Sequence, residues 1–221
     1  MNHKNSLFCA LAALVVSNNP VSAATLVIDS FTEADFFLSV EGDTSITSDV
    51  STPFGTRRFS RISDRIAASG TVMTSTLDSS AGTLSFNVNG QSTGSSPLDL
   101  RASYSQGGPF SVLGYNAFEF DFSALEGSGS LIIELGSGSA VYGPSANRVT
   151  INSAGTLSVP FTSLNFGTGG SVPSFQAMHF TFEADTDQFS FTLDEVRVVP
   201  EPGASILLLL GAGSMALRRR R

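Results

Sequence analysis

From Leu84 onward the chain alternates apolar and polar residues with a period of two. Leu84, Phe86 and Val88 alternate with Ser85, Asn87 and Asn89, and the run stops at Asn89-Gly90, a strong hairpin-turn signal. Phe118, Phe120 and Phe122 alternate with Glu119 and Asp121. Leu131, Ile133 and Leu135 form another one-sided set, as do Met178, Phe180 and Phe182 around His179, Thr181 and Glu183. Gly/Ser-rich stretches at Gly127–Ser130, Gly136–Ser139 and Gly167–Ser171 separate these runs. No segment between Ala24 and Val199 carries the spacing of a long amphipathic helix. The pattern predicts roughly ten to twelve short strands. They belong to one all-β domain, an antiparallel β-sandwich of the jelly-roll kind. No solenoid-length repeat is present, so a β-helix ranks second.

The last strand contains a change of phase. Phe189, Phe191 and Leu193 share one parity, whereas Val196 and Val198 share the other. One extra residue re-aims every side chain after it, so a bulge is expected near Asp194-Glu195.

The two ends follow a different pattern. Lys4, the apolar run Leu7 to Val16 and the small-residue stretch Val21-Ser22-Ala23 form a secretory signal peptide over 1–23, with cleavage expected between Ala23 and Ala24. Cys9 leaves with it. At the other end Pro200-Glu201-Pro202 precedes an apolar run from Ala204 to Leu217 and the block Arg218, Arg219, Arg220 and Arg221. The prolines keep the triplet extended. The apolar run predicts a short hydrophobic helix, held by arginines that stay on the cytoplasmic side. The expected organisation is therefore signal peptide 1–23, β-sandwich 24–199 and sorting or anchor segment 200–221.

Composition narrows the function of the body. Residues 24–199 hold 18 acidic residues against seven arginines, a net charge of −11. Such a surface is poorly suited to nucleic acid, and no nucleic-acid partner is expected. The body has no cysteine, no tryptophan and a single histidine, His179, so disulfides, thiol chemistry and a His-rich zinc site are excluded. No Gly-x-Ser-x-Gly elbow is present. No catalytic residue is assigned, and the reading is non-enzymatic.

The C-terminal array Pro200, Glu201, Pro202 and Arg218 to Arg221 resembles the PEP-CTERM sorting domain of exopolysaccharide-producing Gram-negative bacteria. The segment is also known as an ice-binding protein C-terminal domain, a label for the anchor and not for an activity. The resemblance implies transient anchoring in the inner membrane and processing by an exosortase-type enzyme. Delivery to the cell surface or extracellular matrix would follow. It covers about a tenth of the chain.

Leu26-Val27-Ile28-Asp29-Ser30-Phe31 and Phe191-Thr192-Leu193-Asp194-Glu195-Val196 resemble the first and last strands of carbohydrate-binding jelly rolls. That resemblance implies that the terminal strands pair. Asp29 would then approach Asp194 or Glu195, an oxygen-rich group suited to Ca²⁺, the one cofactor the sequence suggests. The competing reading is a solvated acidic edge. Glu183, Asp185 and Asp187 read as a solvated turn.

Arg57, Arg58, Arg61 and Arg65 are the only basic cluster of the body. Arg57, Arg61 and Arg65 fall at helical spacing, whereas Phe54-Gly55-Thr56-Arg57-Arg58 reads as the start of a strand. Arg57 and Arg58, with Tyr104, Tyr115 and Tyr142 as stacking platforms, are the candidate contacts to a glycan. Pairing of the arginines with the chain's own acids is the simpler alternative. Together these readings describe an exported structural or adhesive protein of exopolysaccharide or biofilm. A calcium-dependent carbohydrate-binding module is the second reading, and a secreted glycan-active enzyme the third.

Overall fold

The computed structural model describes residues 24–40, 49–60, 72–90, 99–112, 114–137, 140–142, 147–164 and 174–200. The expected signal peptide and the segment from Glu201 onward, with the hydrophobic helix expected there, lie outside them. Among the described residues no helix is long and apolar enough to cross a membrane.

Fourteen strands form among the described residues, against the ten to twelve expected. They are β1 (Leu26–Asp29), β2 (Phe36–Val40), β3 (Asp49–Ser51), β4 (Thr56–Ser60), β5 (Val72–Asp78), β6 (Thr83–Asn89) and β7 (Asp99–Ser111). After these come β8 (Tyr115–Glu126), β9 (Gly129–Ser137), β10 (Ala140–Tyr142), β11 (Arg148–Ile151), β12 (Gly155–Pro160), β13 (Ser174–Ala184) and β14 (Gln188–Pro200). The surplus comes from short edge strands such as β3 and β10, of three residues each, too short for a period-two signal.

Two sheets of seven strands face each other. The first runs β12-β8-β14-β6-β5-β2, with β1 beside β14; the second runs β10-β9-β13-β7-β4-β3, with β11 beside β9. Every strand pair is antiparallel, giving a jelly-roll-like β-sandwich. The first and last strands pair as expected, with Leu26 opposite Val198.

The alternating sets all turn inward. Phe118, Phe120 and Phe122 of the first sheet meet Phe180 and Phe182 of the second, and Phe120 and Phe180 stand perpendicular at 5.1 Å between ring centroids. Edge-to-face packing places the positive rim of one ring on the negative face of the other. The phase change in β14 is also present. Its register against β8 shifts between Thr192 and Glu195, so Phe189, Phe191 and Leu193 are buried before the irregularity and Val196 and Val198 after it. Gly127, at φ 76° between β8 and β9, admits no side chain, because a Cβ there would lie 2.1 Å from the Gln188 carbonyl oxygen.

One polar group crosses the core. The register of β1 slips between Val27 and Asp29, which turns Asp29 inward and leaves it fully buried. Its Oδ2 accepts Arg57 Nη1 at 2.6 Å and the Tyr104 hydroxyl at 2.9 Å, and its Oδ1 accepts the Phe31 N–H at 2.8 Å. Arg57 and Tyr104 sit opposite each other on β4 and β7 of the second sheet, so the network ties the two sheets together. Arg57 Nη2 also donates to the Glu33 carbonyl at 3.0 Å, and its guanidinium lies over the rings of Phe31 and Phe59. Burial pushes the Asp29 carboxyl up, with Arg57 pulling it back, and holds the Tyr104 phenol well above its ordinary range.

Candidate functional site, the outer face of the second sheet

The network in the core overturns two of the expected glycan contacts. Arg57 and Tyr104 are buried and committed to Asp29, so neither faces a ligand. Strand alternation explains why adjacent arginines part company: Arg57 points in, and Arg58 points out to pair bidentately with Asp49 at 2.6 and 2.8 Å. The strand reading of this segment holds over the helical one, and Arg61 and Arg65 lie outside the described residues. Tyr115 is half-buried, its ring tilted against Phe110 with centroids 5.6 Å apart. The side chain of Tyr142 lies outside the described residues.

Nor do Asp29, Asp194 and Glu195 converge. Asp29 faces the core, Asp194 accepts the Ser123 hydroxyl at 2.7 Å, and Glu195 pairs with Arg197 Nη1 at 2.8 Å. Strand pairing does place β1 beside β14, but the slip in β1 turns Asp29 into the core while Asp194 and Glu195 stay on the outer face. Arg197 also gathers Glu119 and Asp121. Among the described residues no group of three or more His, Cys, Asp or Glu is placed to hold a metal ion. Glu183 and Asp185 both pair with the part-exposed Arg148, but Glu183 lies in β13 and is only 13% exposed, so it is not part of a solvated turn.

What the second sheet does assemble is a row that crosses five strands in register. Asp49 on β3 stands opposite Arg58 on β4, Arg58 opposite Ser103 on β7, Ser103 opposite His179 on β13, and His179 opposite Glu134 on β9. Inter-strand spacing makes the row about 19 Å long. The neighbouring row carries Ser60, Arg101, Thr181 and Ile132. Both rows lie on the face away from the core, because Met178, Phe180 and Phe182 of β13 point inward.

Cross-strand contacts fix these groups. The His179 Nδ1 and Ser103 hydroxyl are 3.0 Å apart. Arg101 Nη2 reaches across β13 to within 2.7 Å of Glu134 Oε2, an ion pair whose angle falls outside hydrogen-bond geometry. Beneath that bridge Thr181 is only 2% exposed, and among the described residues neither its Oγ1 nor the buried Arg101 Nε has a hydrogen-bond partner. Burial first, then the charge of Arg101, lowers the His179 imidazole to about 4, so the ring is neutral at neutral pH and offers both a donor and an acceptor. The alternation in β13 places His179 and Thr181 on the polar face, whereas Arg101, Ser103 and Glu134 are not singled out by the sequence pattern. The available signal was the alternation of Arg101 and Ser103 with Leu100, Ala102 and Tyr104, and of Glu134 with Ile133 and Leu135.

Beyond the sandwich, residues 198–221 match the PEP-CTERM protein-sorting motif. The chain is thus an exported β-sandwich protein. It carries a PEP-CTERM sorting signal whose first residues, Val198 to Pro200, are the end of β14 itself. No curated protein matches the chain in sequence. Solved structures of similar shape include the family 11 carbohydrate-binding module of the cellulosomal cellulase Lic26A-Cel5E of Clostridium thermocellum. It is 15% identical with a TM-score of 0.42, over 81% of this chain and 97% of that one. The xyloglucanase domain of NopAA from Sinorhizobium fredii is 10% identical with a TM-score of 0.44, over 75% and 99%. The xylan-binding module CBM86 from Roseburia intestinalis is 10% identical with a TM-score of 0.36, over 77% and 98%. Likeness at this level brings neither a ligand nor an activity to this chain.

Proposed function

We propose that the mature chain is a non-catalytic protein of the cell surface or extracellular matrix that holds exopolysaccharide against the outer face of its second sheet. In this reading the signal peptide is removed after Ala23. The segment from Pro200 onward holds the domain at the inner membrane until an exosortase-type enzyme releases it. The observation that carries the reading is the row of polar side chains aligned in register across that face, Asp49, Arg58, Ser103, His179 and Glu134. Sugar hydroxyls, each a donor and an acceptor, match such a face, and the strand spacing offers one polar residue about every 5 Å along a glycan.

Affinity electrophoresis of the mature protein in gels containing the host's own exopolysaccharide tests this. Wild type is expected to be retarded, and equally so from pH 8 down to pH 5, because His179 stays neutral until about pH 4. Ser103→Ala, which removes one hydroxyl of the row, and Arg101→Ala should each weaken retardation by about five- to tenfold. Retardation equal to wild type in both variants would show that this face is not the contact.

A further inference from the structure

We propose that the corner of the first sheet around Phe37 is a separate binding site for a protonated amino sugar, a proposal that rests on the reading of the protein as polysaccharide-associated. Phe37 is 66% exposed, the one large apolar side chain left open among the described residues. It stands opposite Thr76 on β5. Asp35 and Asp78 share its parity and line, with Phe37, Thr76 and Leu77, an open hollow of about 510 Å³.

The two carboxylates are half-committed. Asp35 Oδ1 accepts the Ser79 N–H at 2.9 Å and its hydroxyl at 2.6 Å. Asp78 Oδ1 accepts the Ser80 hydroxyl at 2.6 Å and the N–H groups of Ser80 and Ala81 at 3.0 Å. Each keeps its Oδ2 without a partner, and neither makes an ion pair, among the described residues. These hydrogen bonds hold both carboxyls below the usual range, Asp35 against the opposing charge of Asp78, so two negative charges sit together beside an aromatic ring.

An amino sugar answers each element at once. Its C–H face covers the Phe37 ring, its ammonium faces the two free carboxylate oxygens, and a ring hydroxyl meets the exposed Thr76. A lysine chain would neutralise the charge but leave the hydroxyl and much of the ring unmatched. The net charge of −11 in residues 24–199 adds long-range attraction for a polycation. The site is also held in place from within. Arg57 grips the Glu33 carbonyl and Asp29 the Phe31 N–H, so the segment leading into β2 is anchored before a ligand arrives.

Isothermal titration of the mature protein with a glucosamine oligomer, its N-acetylated counterpart and an oligolysine of equal charge tests the assignment. The glucosamine oligomer should bind at least about tenfold more tightly than the other two. It should be released when the pH rises enough to neutralise its amines. Phe37→Ala should lose about tenfold in affinity with an unchanged melting temperature, and Asp35→Asn with Asp78→Asn a similar factor. Absence of binding, wild-type affinity in Phe37→Ala, or oligolysine binding as tightly as the sugar overturns the proposal. Ser103→Ala and Arg101→Ala should leave this titration unchanged, so its failure and that of the second-sheet reading are separable.

Discussion

Asp29→Ala is expected to destabilise the sandwich by about 3–5 kcal/mol, and Arg57→Ala by a similar amount, because each leaves the other charge buried and unpaired. The Arg57 side chain is 1% exposed and that of Asp29 fully buried, so water cannot take the place of the lost partner. At about 2–4 °C per kcal/mol for a domain of this size, melting should fall by roughly 6–20 °C. Tyr104→Phe removes a single hydrogen bond to Asp29 and should cost about 1–2 kcal/mol. Asp29→Leu combined with Arg57→Met should recover much of the loss, since removing both charges leaves no orphan ion. Thermal melts of the four variants check this. Strictly additive losses in the double variant would mean that the two side chains act independently, contrary to their 2.6 Å contact.

Replacing Pro200, Glu201 and Pro202 by alanine is expected to abolish release of the protein, leaving it in the inner-membrane fraction. Proline fixes φ and keeps the residue before it extended, whereas alanine removes both constraints and so alters the backbone that the processing enzyme must read. Pro200 is the last residue of β14, paired with Tyr115, so the motif begins where the sandwich stops. The change should leave melting almost untouched, because Pro200 is only half-buried and contributes no N–H to the ladder. Fractionation of host cells reads the outcome. Normal release of the alanine variant would contradict a sorting role for the triplet.

The fold was legible where one side chain in two is large and apolar. Phe118 to Phe122, Leu131 to Leu135 and Met178 to Phe182 announce their inward faces, and the break in parity after Leu193 announces the bulge. Pairing of the first and last strands was legible by resemblance. Asp29 was misplaced for a local reason: the slip between Val27 and Asp29 reverses its face, and nothing in Leu26-Val27-Ile28-Asp29 marks that slip. Arg57 and Arg58 looked like one basic patch, yet a strand sends neighbours to opposite faces, one to Asp29 and one to Asp49. Tyr104 read as a platform because the body has no tryptophan to stack on a sugar, although Leu100 and Ala102 share its buried parity. The row from Asp49 to Glu134 draws on five strands that lie far apart in sequence. Its members are aligned by register, which hydrogen bonding between strands sets and no single strand encodes.

The most direct test of the account is amide hydrogen exchange of the mature protein with and without the host's exopolysaccharide. Slowed exchange centred on β7, β13 and β9, around Arg101, Ser103, Glu134 and Thr181, is the predicted result. Unchanged exchange in those three strands at saturating polysaccharide would contradict the claim that the second sheet carries the glycan.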